Sequence, residues 1–201
     1  MSIQMRKYEL KARAESQRET RDRIARAAAE LHEEKGVATT TVAEIARRAG
    51  VTRLTVYNHF AGLSELLPAC AAHYETVHPM PDFGSVLAGV DAAERVRGAL
   101  VVLYRWYREN EPMYTKLFGE RASVPELDRF LEQSVDRMLA GLADTLAGAF
   151  AVRGRRGKRL HALIRLALDF WTWRRLDGEG LGDEAAAETM AAAVAAVTAG
   201  S

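Results

Sequence analysis

The stretch Thr39–Phe60, TTTVAEIARRAGVTRLTVYNHF, predicts two short helices joined by one tight turn. Thr41 and Glu44 have the spacing of a capping box, so a helix begins at Thr41. Val42, Ile45, Ala46 and Ala49 recur at helical spacing and give it one apolar face. Gly50 follows, where a left-handed residue ends the helix and glycine adopts that conformation freely. Val51 fills the angle between the helices, and Thr52 caps the second one. Val56 and Phe60 share the inner face of that second helix. At about 100° per residue, Leu54, Thr55 and Asn58 point most nearly away from it. A helix-turn-helix has this form, and its second helix is shaped to enter a DNA major groove.

Upstream, a helix is expected over 17–35, with Ile24, Ala28 and Leu31 as its inner stripe and Gly36 as its end. Arg18, Arg21 and Arg23 flank its start, either solvated or holding a phosphate. Residues 1–16 are charged and poor in large apolar side chains. They read as a frayed tail or helical extension, or as an arm whose Arg6, Lys7, Lys11 and Arg13 add phosphate or minor-groove contacts.

Composition frames this motif. The 201 residues are 48% hydrophobic and 27% charged, which excludes a disordered chain. Only five prolines occur and strand-like alternation is nearly absent, so an all-α fold is expected. No apolar run approaches the roughly 20 residues of a membrane span, and no signal peptide is visible. The single Cys70 excludes an internal disulfide and fits a reducing cytoplasm, so the expected location is cytoplasmic. The net charge of +1 is unevenly placed. Residues 1–60 carry 12 Lys/Arg and 8 Asp/Glu, a net of +4, and the remainder carries −3. A basic head on a mildly acidic body fits a DNA-binding head joined to another kind of domain.

The rest reads as helices throughout: Leu63 to about Val77, a break at His78-Pro79-Met80-Pro81, Asp91 to Glu109, Met113–Gly119, and a long one from Ser123. Arg153 to Arg159 reads as a basic loop, followed by two long helices over about 158–176 and 183–199. That makes about nine helices: an arm at 1–16, a three-helix head at 17–62, and a larger helical domain at 63–201. The last two helices are apolar over a wide arc and rich in alanine, which calls for a partner; a twofold copy would form a four-helix interface. A helical pocket for an apolar or aromatic small molecule needs aromatic walls, and Tyr104, Tyr107, Met113, Phe118, Met138 and Trp171 are the candidate lining. No metal-ligand spacing, nucleophile elbow or phosphate loop is present, so no cofactor, metal or catalytic residue is expected.

The order of features, Thr-Val-x-x-Ile-Ala, Ala-Gly-Val-Thr, then Thr-x-Tyr-x-x-Phe and a helical remainder, resembles the TetR family of bacterial transcriptional regulators. The specific part covers about residues 18–67. The resemblance implies a homodimer joined through the last two helices, two DNA-reading heads, and a small-molecule effector in the larger domain. The expected activity is repression at a palindromic double-stranded operator, relieved when the effector binds. Thr40 and Thr41 fall where such proteins meet phosphate, Arg53, Leu54, Thr55 and Asn58 on the recognition helix, and Tyr57 and His59 at backbone contacts. Arg53 suits a guanine and Asn58 an adenine. Leu54 stands where a small residue is common; it meets a thymine methyl or packs on the first helix. Tyr57 likewise touches DNA or packs inward. Leu63 replaces a frequent phosphate-contacting lysine. The alternative reading is a helical small-molecule binding protein or enzyme without DNA function.

Overall fold

The computed structural model describes residues 3–89 and 91–199; the side chains of residues 3–7, Arg6 and Lys7 of the expected arm among them, lie outside the described residues. Among the described residues every regular element is helical. The elements are α1 (Ile3–Lys35), α2 (Val42–Ala49), α3 (Arg53–His59), α4 (Leu63–Val77), α5 (Gly84–Leu87), α6 (Ala92–Glu109), α7 (Glu111–Glu120), α8 (Pro125–Leu131), α9 (Arg137–Gly148), α10 (Gly154–Leu168), α11 (Phe170–Gly178) and α12 (Asp183–Ala199). A π turn, Glu132–Asp136, joins α8 to α9, so these three form one continuous helix.

Three of these boundaries depart from the sequence reading. The α1 helix begins at Ile3 and not near Gln17, so of the readings given for residues 1–16 the helical extension describes 3–16. The last long helix before α12 is split: Asp169 is extended, and its carboxylate accepts the Thr172 N–H at 3.0 Å to start α11. The basic run from Gly154 to Arg159 forms the first turns of α10 rather than a loop, with Arg153 extended before it. Counting α8 to α9 as one, the described residues hold eleven helices where nine were expected; the additions are this split and the short α5. A four-residue helix carries no periodicity to read.

The chain divides into two compact units, residues 1–79 with 115–130, and 80–114 with 131–201. In the first, α1 packs on α2 and α4, and α2 on α3. Its core holds Ile24, Ala28, Leu31, Ile45, Ala46, Val56, Phe60, Leu66 and Cys70, with Val42 and Val51 partly buried against it. Burial pushes the Cys70 thiol up to about 12, which leaves it an inert packing group. In the second unit α6 is central and packs on α12, α10 and α11. Tyr104 and Tyr107 are fully buried there. Their hydroxyls donate to the Ala167 and Leu168 carbonyls at 2.7 and 2.8 Å. These carbonyls lie at the α10 C-terminus, where they lack helical partners.

Candidate nucleic-acid interface

The turn into α2 is closed by its own side chains. Gly36 ends α1 at φ +90°, the left-handed region that favours glycine. The Thr39 and Thr40 hydroxyls then donate to the Lys35 and Gly36 carbonyls at 2.7 and 2.6 Å. Thr41 and Glu44 form the expected capping box, with Thr41 Oγ1 accepting from Glu44 N and Glu44 Oε2 accepting from Thr41 N at 3.0 Å. The Thr41 hydroxyl also donates to Glu44 Oε2 at 2.7 Å. Lys35 Nζ reaches Glu44 Oε1 at 2.7 Å. The Lys35 ammonium, followed by the Thr41 hydroxyl and N–H, holds the Glu44 carboxyl down to about 2.

This geometry refines the threonine roles. A hydroxyl has a single hydrogen to donate, and in Thr40 and Thr41 it already serves a carbonyl and a carboxylate. The donors that the first turn of α2 leaves without intrahelical partners are backbone N–H groups at the positive end of the helix dipole.

Gly50 turns the chain at φ +67°. Thr52 Oγ1 accepts from Thr55 N at 3.1 Å and starts α3. Val56 and Phe60 are buried beneath α3, each 2% exposed. Arg53, Leu54, Tyr57 and Asn58 are exposed on its other side, while Thr55 and His59 are half-buried. Leu54 is 68% exposed and Tyr57 56%. Neither side chain is buried. The Thr55 hydroxyl lies 2.8 Å from that of Thr52, so it belongs to the cap as well as to the outer surface. No carboxylate occurs on α3. Leu63 is half-buried at the start of α4.

Three cations fix this surface in roles that the sequence reading did not give them. Arg21 donates to the His59 carbonyl at the α3 C-terminus, and its guanidinium lies 4.0 Å from the centre of the Phe60 ring. It is thus a staple between α1 and α3. Arg48 grips Glu34 with both terminal nitrogens, tying α2 to α1, and Lys35 does the same through Glu44. Each pair is 9 to 38 residues apart in the chain, so no local spacing announces it.

The six candidate lining residues are not gathered in one place. Tyr104, Tyr107 and Met113 are buried in the second unit, Met138 is half-buried and Trp171 is 45% exposed. Phe118 belongs to the first unit. Tyr107 stands in an aromatic cluster with Trp106, Tyr114, Phe170 and Trp173, at ring separations of 5.3–6.2 Å. An open cleft in the second unit is lined by residues between Ala147 and His161, with none of the six among them.

Comparison with known proteins agrees with this geometry. Residues 24–70 match the family described as bacterial regulatory proteins, tetR family. The HTH-type transcriptional regulator SrpR of Pseudomonas putida is 33% identical over 129 residues, 57% of this chain and 57% of that protein. The chain thus spans little more than half of SrpR. The uncharacterised HTH-type transcriptional regulator TtgW of the same species is 33% identical over 130 residues, 57% of this chain and 91% of TtgW. A TetR-like transcriptional regulator from Rhodococcus shares the fold at a TM-score of 0.61 and 19% identity, covering 90% of this chain and 97% of that one. NalD of Pseudomonas aeruginosa, a secondary repressor of the MexAB-OprM multidrug efflux pump, does so at 0.57 and 24%, covering 90% and 96%. The match to TtgW runs across nearly the whole of that protein, the family match spans the helix-turn-helix, and the chain belongs to the TetR family of DNA-binding transcriptional regulators.

Proposed function

We propose that this regulator is a repressor that binds a palindromic operator as a homodimer and is released when a small molecule binds its larger helical domain. Membership of a family of transcriptional regulators sets aside the reading as an enzyme. The observation that carries the proposal is the outer face of α3. Two large side chains, Leu54 and Tyr57, are more than half exposed beside Arg53 and Asn58 on a helix without a carboxylate. Exposed large side chains next to hydrogen-bonding groups are what base edges, thymine methyls and phosphates require.

In this reading residues 17–62 are the DNA-reading head, 63–201 the effector and dimer domain, and 1–16 an accessory arm. Arg53, Leu54, Thr55 and Asn58 read bases; Thr40, Thr41, Tyr57 and His59 meet the backbone. Of the candidate lining, the second-unit residues Tyr104, Tyr107, Met113, Met138 and Trp171 remain the proposed surroundings of the effector. Supporting the dimer, Leu166 is 53% and Trp171 45% exposed in the single chain, and α12 leaves Ala185, Ala192, Ala193 and Ala196 uncovered. Small residues let a second helix approach closely, as across a four-helix interface. Among the described residues no helix is long and apolar enough to cross a membrane, and the proposed location is cytoplasmic.

The test is retardation of DNA from beside the chain's own gene. Two chains should bind one palindromic site, with affinity falling as salt rises. A folded dimer that leaves this DNA unshifted at low salt defeats the proposal.

A further inference from the structure

The turn between α1 and α2 satisfies its carbonyls locally and its amides from far away. Lys35 O and Gly36 O are taken by the Thr39 and Thr40 hydroxyls, and Val37 O by Thr40 N at 3.2 Å. The Val37 and Ala38 N–H groups have no local acceptor. Both donate to a single carboxylate oxygen, Glu120 Oε2, at 2.6 and 2.9 Å. Glu120 lies more than 80 residues on, at the end of α7 and within the same compact unit.

Glu120 is itself held. Its carbonyl accepts from Ser123 N and Oγ, both at 2.9 Å, and from Val124 N at 3.2 Å. Arg121 closes the same turn by an ion pair with Asp128 at 2.8 Å. The site also depends on a missing side chain. A Cβ on Gly36 would stand 1.8 Å from Glu120 Oε1, so a side chain there would displace the carboxylate from the turn.

We infer that Glu120 is a positioning residue for DNA binding: its carboxylate, by holding Val37 N and Ala38 N, fixes the turn that presents Thr40, Thr41 and the α2 N-terminus to the phosphate backbone. The inference rests on the proposed DNA-reading role of the head. Charge-assisted bonds to two adjacent amides hold a backbone segment more firmly than neutral ones. The segment so held meets phosphate and reads no base, so its loss affects all sequences alike.

The experiment compares wild type, Glu120→Ala and Glu120→Gln in operator and non-operator binding across a salt series, with amide hydrogen exchange and thermal unfolding. Glu120→Ala should bind both DNAs about tenfold more weakly, lower the salt slope by about 1, and exchange faster at Val37 and Ala38. Glu120→Gln keeps a neutral acceptor oxygen and should restore most of the affinity and protection. Unchanged binding by Glu120→Ala overturns the inference, as does a Glu120→Gln variant no better than alanine. A loss that follows the fall in Tm equally in both variants overturns it too. Wild type that binds no DNA defeats the proposed function along with it; wild type that binds as well as Glu120→Ala defeats the inference alone.

Discussion

The outer face of α3 and the aromatic cluster of the second unit are both rich in large side chains, yet they differ in what those side chains do. Tyr57 is 56% exposed and Leu54 68%. Tyr104 and Tyr107 are fully buried, and their hydroxyls complete the α10 C-terminus. A buried aromatic is explained by the core that it fills. An exposed leucine and tyrosine on a seven-residue helix gain little hydrophobic free energy from the fold. Their position points outward to a partner. Under the proposed function, stability and recognition fall to different residues, and substitution can separate them.

The largest expected effect falls in the cluster. Tyr107→Ala leaves a cavity and an unpartnered Leu168 carbonyl, and should lower unfolding free energy by about 4 kcal/mol in urea titration. Leu54→Ala in the same assay should stay within about 0.5 kcal/mol. Equal effects would erase the contrast.

His32 offers a sharper test through pH. It is 3% exposed in α1, and burial lowers its pKa from 6.5 to about 4. Between those values the unfolded chain binds a proton that the folded chain refuses, so stability rises with pH across this window. Acidification from about 6.5 to about 4 should remove about 3 kcal/mol, and nothing from this group is lost above 7. Most of this window lies above the range in which Glu44 titrates, since that group is held down to about 2. His32→Gln should flatten the slope between pH 4.5 and 6.5; an unchanged slope would place the titration elsewhere.

The smallest effects lie on α3. Arg53→Ala should cost about 1–3 kcal/mol of discrimination at one base pair and leave stability unchanged. Tyr57→Phe removes the hydroxyl proposed to meet the DNA backbone and should weaken all sequences about equally. A binding-site selection with each variant checks both, and the reverse pattern would exchange their roles.

Much of the head was legible because its rules are local. Thr41 with Glu44, Gly50, and Thr52 each act within four residues, and all three adopt the expected conformations. The same kind of rule was present at Asp169 and went unread, because the apolar period on either side of it continues without a gap. Arg21, Arg48 and Glu120 were illegible for another reason. Their partners stand 38, 14 and 83 residues away, and charged side chains at such separations carry no mark of pairing. The candidate pocket was the least legible part, since an aromatic on a helix looks the same whether it faces a ligand or the core.

By itself, the sequence determined the all-helical class, the caps and turn of the helix-turn-helix, and the family, since these follow from spacings that one helix turn can satisfy. Only the tertiary structure decided that Tyr57 is exposed and that Tyr104 and Tyr107 close the end of α10. It also decided that a carboxylate from the end of α7 holds the turn before α2. Exposure and long-range hydrogen bonds depend on which surfaces meet, and periodicity within a single helix is blind to that.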